Sequence, residues 1–308
     1  MNRKFITIIK FAILVIIFYA LLAFNVFHLW EKLIPSTKDY LETNTPQIDQ
    51  NLEDTYSEGD VIPQVQTGHF AADTQANLDG LCESIGICDK IDFKGSFTDT
   101  EKYRYTKTVS KIVQFIGDNG KEDKDIKEVI ADIEINKDNG NRRWYATRNT
   151  IIFNIWSVQS RKEFIDLSAH EMGHITDLGY IQWSSDKKDK IFTEFGKAVF
   201  AINDLSIWFY KLSRDKETIR KATVKKKDFC SGYGMSDPFE DFAECFNLYV
   251  NHNSFFKQIA RTNILLKKKY NIIASVFDGQ YISSNSQELN LIKTNKDRRP
   301  RDTTKLTN

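Results

Sequence analysis

The chain opens on a stretch where apolar positions are almost unbroken. Phe11 to Phe24 is apolar, Val26, Phe27, Leu29 and Trp30 extend it, and Asn25 and His28 interrupt it only late. Arg3, Lys4 and Lys10 precede it. Basic residues ahead of an apolar helix stay on the inner side while the helix enters or crosses the membrane. Residues 1–30 are therefore predicted to form a signal helix or a transmembrane anchor. The run is longer than a usual signal core, no small-residue cleavage site follows, and Trp30 suits a membrane interface. These features favour an anchor. The rest of the chain is then expected outside the cell, on its membrane or secreted. Residues 31–80 are polar, rich in Thr, Gln, Asn and Asp, with little apolar periodicity, and read as a stalk.

Periodicity returns over 81–285, where a folded domain is expected to start between Asn77 and Tyr103. Val109, Ile112, Val113 and Ile116 give Tyr105–Ile116 the spacing of an amphipathic helix. Gly117–Lys127 reads as a charged loop and Val129–Ile135 as a short strand. Asp138-Asn139-Gly140-Asn141 is a turn signal. Trp144–Thr147 and Thr150–Trp156, β-branched and aromatic, predict a hairpin whose second arm is a strand. Ser160 and Glu163 form a capping-box pattern that opens a helix running to about Leu178 and stopping at Gly179. Phe164, Leu167 and Leu178 lie on one side of it, and Ile165, Ala169, Met172 and Ile175 on the other, as in a buried helix. Gly173 is unfavourable within a helix and suggests close packing on a strand or a second helix. Further helices are predicted over Lys187–Leu212, Pro238–Val250, Phe255–Leu266 and Tyr270–Phe277, with a solvated basic loop at Lys221–Lys227. Residues 286–308 read as a basic, disordered tail. The pattern is α+β: mostly helical, with a small sheet.

Charge adds little to this picture. Lys plus Arg is 43 and Asp plus Glu 42, a net charge of +1 that offers nucleic acid no basic surface. Four cysteines, Cys82, Cys88, Cys230 and Cys245, suit an oxidising compartment. Three full pairings are open to them. Cys82 with Cys88 closes the shortest loop and would leave Cys230 with Cys245. No C-x-x-C pair suggests a metal site among them.

The chemistry lies in the histidines. There are only five, and two stand four apart around a glutamate, His170-Glu171-Met172-Gly173-His174. On a helix, positions i and i+4 share one face, so both imidazoles can reach one zinc ion while Glu171 takes a proton from an attacking water. Zinc needs a third protein ligand. His28 and His69 fall in the membrane segment and the stalk, and His252 has no motif around it. The helix after Cys230 carries Glu240 and Glu244, again i and i+4, among Phe239, Phe242, Ala243, Phe246 and Leu248. Carboxylates in such surroundings require partners. One can hold the metal and the other can accept from a liganding imidazole. Asp237, Pro238 and Glu240 also fit a helix cap, which would leave Glu244 or Asp177 to ligate. Asp177, three residues after His174, could instead orient that ring. On chemistry alone the two glutamates stand about even.

His170–His174 together with Glu240-Asp241-Phe242-Ala243-Glu244 resembles the gluzincin-type zinc metallopeptidases, in particular the group of lethal factor and the proline–proline endopeptidases. The likeness covers about Ser160 to Val250. It implies a zincin-like catalytic domain, zinc held by His170, His174 and Glu240, Glu171 as the proton acceptor, and Glu244 in support. It implies that Tyr233, seven residues before Glu240, assists the reaction through its hydroxyl. It also implies that the strand Thr150, Ile151, Ile152, Phe153, Asn154, Ile155 is a sheet edge on which extended substrate pairs. Asp241 departs from the lethal-factor motif, which has an aromatic residue there. The expected activity is hydrolysis of peptide bonds in extracellular proteins. A cell-wall peptide hydrolase or amidase would use the same residues. A non-catalytic surface binding module on the same scaffold would have no physical need for Glu171.

Overall fold

The computed structural model describes residues 70–137, 144–158, 160–182, 186–194, 196–284 and 300–306. The export helix expected over 1–30, the stalk up to residue 69 and the Asp138–Asn141 turn lie outside the described residues. Among the described residues, no helix is long and apolar enough to cross a membrane.

Helix α1 (Phe70–Ile85) begins inside the segment expected to be stalk. Leu78, Leu81 and Ile85 recur at helical spacing, but polar residues between them dilute the signal. The Cys82–Cys88 disulfide ties its end to the following turn. Strand β1 (Ile91–Lys94) leads to helix α2 (Asp99–Asn119). A full capping box starts α2: Glu101 N–H donates to the Thr98 hydroxyl (3.2 Å) and Thr98 N–H to the Glu101 carboxylate (2.8 Å). Val109, Ile112, Val113 and Ile116 form its buried face, as their spacing predicts. The short helix α3 (Ile126–Val129) precedes β2 (Asp132–Asn136), β3 (Trp144–Ala146) and β4 (Thr150–Asn154).

The four strands form one sheet in the order β1-β2-β4-β3, with β1, β2 and β4 parallel and β3 antiparallel to β4. Ile133 and Ile135 stand in register with Ile151 and Phe153, and all four are fully buried. The predicted hairpin is therefore present, but the edge assignment is wrong. Strand β4 is paired on both sides, by β2 and β3, and Ile155 has already left it in a 3₁₀ turn. The hairpin folds β3 onto the flank of β4 that a substrate would need, so among the described strands β3 and β1 are the edges.

Helix α4 (Arg161–Ile175) crosses this sheet. Its Phe164 packs on Phe153 of β4 and Tyr105 of α2, at ring-centroid distances of 5.3 and 4.7 Å. The predicted long helix Lys187–Leu212 forms only at its end, as α5 (Leu205–Ser213). Asp189 Oδ1 accepts from the N–H groups of Ile191 and Phe192, and Gly196 takes φ +80°. Side-chain acceptors and a left-handed residue thus divert the backbone, while Phe192 and Phe200 are still buried from the loop. Asp204 then caps α5 through Ser206 N–H at 3.0 Å.

A small hairpin, β5 (Arg214–Lys216) and β6 (Ile219–Arg220), leads to helices α6 (Pro238–Asn251), α7 (Asn253–Arg261) and α8 (Ile264–Val276). Asn263 breaks the predicted Phe255–Leu266 helix by capping α8. The basic tail is not wholly disordered. Pro300–Leu306 is ordered, with a 3₁₀ turn at Thr303–Lys305, and Thr303 and Thr304 are buried. Asp302 caps that turn by accepting from Thr304 N–H at 2.8 Å. The tail's charged residues hid this local signal. The described chain is α+β, largely helical around one small sheet.

Candidate metal centre

Helices α4 and α6 pack face to face and bring the two sequence motifs together. Ser160 caps α4 by accepting from Glu163 N–H at 3.1 Å. Asp237 caps α6 by accepting from the N–H groups of Phe239 (3.0 Å) and Glu240 (2.9 Å). The cap therefore uses the backbone of Glu240 and leaves its carboxylate free. Gly173 is where the helices touch: a Cβ there would stand 2.9 Å from Ala243 Cα and 3.2 Å from Phe246 Cβ. Gly173→Ala should accordingly destabilise the fold by about 1–3 kcal/mol through overpacking, outweighing the roughly 1 kcal/mol that alanine gains in helix propensity. Thermal unfolding of the metal-free variant measures the sign. A rise in Tm would show that the helices can separate freely.

His170 and His174 occupy adjacent turns of α4, and Glu240 reaches them from α6. Glu240 Oε2 lies 3.1 Å from His170 Nε2 and 3.5 Å from His174 Nε2. Candidate ligand atoms of the three residues all fall within 4.8 Å of one another. Glu244 stands behind His170, its Oε1 2.9 Å from Nδ1. These glutamate–imidazole approaches are close without an aligned N–H, for Glu240 Oε2, Glu244 Oε1 and His170 Nδ1 all lack a hydrogen bond of proper geometry. The even choice between the glutamates is resolved by position: Glu240 faces the Nε2 atoms and Glu244 the Nδ1 atom.

Glu171 is fully buried with its Oε1 3.9 Å from His170 Nε2, and among the described residues neither carboxylate oxygen has a hydrogen-bond partner. Burial pushes its pKa up to about 7, with Glu240 and Asp302 adding to the rise and the two imidazoles opposing it. For Glu240 burial also pushes upward, but His174 and His170 outweigh it and hold the carboxyl well below its usual range. Both imidazoles are raised above their usual value, because Glu240, and for His170 also Glu244, offset desolvation. Three carboxylates thus converge on two imidazoles in a dry setting. Such a field attracts positive charge. The orphaned Glu240 oxygen beside two Nε2 atoms fits a metal ion, and His170, His174 and Glu240 form a group that could hold one.

Tyr233 borders this group. Its hydroxyl donates to Glu240 Oε1 at 3.0 Å and its ring stacks on His170 with centroids 6.1 Å apart. The side chain is 42 % exposed, so it forms the solvent side of the cluster. Burial of the hydroxyl and the Glu240 charge raise its pKa. The Cys230–Cys245 disulfide joins its loop to α6, and Gly234 packs against Asp241 of that helix.

Asp177 does not orient His174. Past Ile175 the helix widens into a π-turn (Thr176–Tyr180), where Asp177 Oδ2 accepts from the Tyr210 hydroxyl of α5 and Oδ1 has no partner. Burial pushes its pKa up to about 8, against the hydrogen bonds from Ser206 and Tyr210. His252 is also no ligand: its Nε2 lies 2.6 Å from Asp166. Asp241 points into the core, where Lys269 and Ser213 bind it. Two contributors escaped the sequence reading. Lys269 sat on a surface-like pattern. Thr303, whose N–H donates to Glu244 Oε2 at 2.8 Å, sat in the polar tail, where the Asp302 cap was its only signal. No protein-family model, curated protein or solved structure matches this chain.

Proposed function

We propose that this chain is a zinc endopeptidase of the gluzincin type, acting on extracellular protein from the cell membrane or after secretion. The observation that carries the reading is the buried, unpartnered Glu240 Oε2 within 3.5 Å of both imidazole Nε2 atoms, with Glu171 unpaired beside it. Two imidazole nitrogens and one carboxylate oxygen are a donor set suited to catalytic zinc.

When bound, the ion supplies Lewis acidity, polarising a peptide carbonyl and making an attacking water more acidic. Glu171 accepts that water's proton and delivers it to the leaving amine. Burial favours proton acceptance by pushing the Glu171 carboxyl upward in the metal-free chain, against the pull of the two imidazoles. Tyr233 turns its hydroxyl from Glu240 towards the developing oxyanion and donates to it. Glu244 holds the His170 ring from behind.

Extended substrate has an edge to pair with at β3. Thr147 N–H donates to Thr150 O, which by antiparallel alternation turns the N–H and C=O groups of Ala146 away from β4. Strand β3 packs against α4, so a peptide added there runs along the metal helix.

Metal analysis of the purified chain should find one zinc per molecule. Cleavage of an unfolded protein substrate should stop when a chelator removes zinc and return when zinc is added back. Absence of zinc, or cleavage that survives its removal, overturns the reading.

A further inference from the structure

We propose that the C-terminal segment Pro300–Leu306 is a positioning element of the metal centre, holding both the support of His170 and the loop of Tyr233. This rests on the reading of that centre as a zinc site.

The segment touches the site from two directions. Thr303 N–H donates to Glu244 Oε2 at 2.8 Å, while the other oxygen of that carboxylate faces His170 Nδ1 at 2.9 Å. Thr303 Oγ1 accepts from Asn247 Nδ2 at 3.1 Å, one turn along α6 from Glu244. On the other side, Pro300 O accepts from Gly232 N–H at 2.8 Å and Arg301 O from Tyr233 N–H at 2.7 Å. Glu244 and Thr303 are fully buried, so no water can replace the Thr303 amide. Without it, one oxygen of a buried carboxylate loses its donor, and Glu244 would turn from His170 to find another. Three backbone groups of this segment, the Thr303 N–H and the Pro300 and Arg301 carbonyls, therefore set a ligand's orientation and place the Tyr233 hydroxyl.

Two variants separate the amide from the hydroxyl. Thr303 is the first residue of its 3₁₀ turn, where proline is well tolerated, and Asp302 before it is extended (φ −153°, ψ 129°), as a residue preceding proline should be. Thr303→Pro removes the N–H, whereas Thr303→Val keeps it and removes only the hydroxyl. In chelator competition on the full chain, Thr303→Pro should hold zinc about tenfold less tightly or worse, as loss of a ligand's support does. Thr303→Val keeps the amide on Glu244 and strands only the Asn247 donor, so its zinc affinity should fall distinctly less than that of Thr303→Pro. Near-UV circular dichroism and melting of the metal-free proteins show whether both variants fold. Hydrogen exchange on the unaltered chain gives a second readout, independent of either variant. By reciprocity, zinc loading should slow exchange at Thr303. Wild-type zinc affinity in a folded Thr303→Pro protein, or Thr303 exchange indifferent to zinc, overturns the proposal while the metal reading stands. A wild-type chain that takes up no zinc overturns both.

Discussion

Glu171→Gln should keep zinc and lose hydrolysis. The amide has the size of the carboxylate but cannot accept a proton, so kcat/KM should fall by about 10²–10⁴, the usual contribution of a general base. The atoms that could hold the metal ion belong to His170, His174 and Glu240 and are untouched. Folding should not suffer either. Both oxygens of Glu171 are buried without a hydrogen-bond partner, so the wild-type fold gains nothing from their charge. Removing it should leave the Tm of the metal-free protein unchanged or higher. The measurements are zinc content, metal-free melting and cleavage of an unfolded protein, made on one preparation. Undiminished cleavage in a zinc-loaded variant would remove Glu171 from the mechanism. A surface binding module that retains its affinity without any cleavage would point the same way.

Lys269→Met should be the most damaging single change to stability. Lys269 and Asp241 are both fully buried, and the ammonium reaches the two carboxylate oxygens at 2.8 and 2.7 Å. It also donates to Asp228 O at 3.0 Å and lies 4.4 Å from the Phe229 ring centroid. Burial pushes the Asp241 carboxyl up and the Lys269 ammonium down, and each partner's charge opposes the shift of the other. Removing only the lysine strands a buried carboxylate, which costs about 3–5 kcal/mol. Replacing both, as in Asp241→Leu with Lys269→Met, should recover most of that loss, because a pair so deeply buried contributes little net stability against apolar groups of similar volume. Urea unfolding of the two singles and the double gives the coupling. A Lys269→Met loss below about 1 kcal/mol would show that the charge finds another partner or neutralises.

The elements that were legible in the chain are those whose signals are local. The α2 face of Val109, Ile112, Val113 and Ile116, the Ser160 cap of α4, the Asp237 cap of α6 and the β3–β4 hairpin follow from periodicity and capping chemistry within a few residues. The His170/His174 pair and the Glu240/Glu244 pair were legible because i, i+4 spacing on a helix is itself geometry. Misreadings arose where local pattern and distant partners disagree. Lys187–Leu212 has helical spacing, yet Asp189, Gly196 and Asp204 divert its backbone before α5. Asp177 is three residues from His174, yet the π-turn and Tyr210 claim its carboxylate.

By itself the sequence determined which residues can bind a metal and on which helical faces they stand, because those depend on spacing along one element. Tertiary structure alone decided that Glu240 meets the Nε2 atoms while Glu244 meets Nδ1, since that depends on how α4 and α6 approach at Gly173. It also decided that β4 is an inner strand with β3 outside it, and that Thr303, some sixty residues beyond Glu244, carries the amide behind the site. The physical reason is common to all three. A hydrogen bond or a strand pair between segments far apart in sequence leaves no periodicity in either segment, and its partner is known only once the chain has closed upon itself.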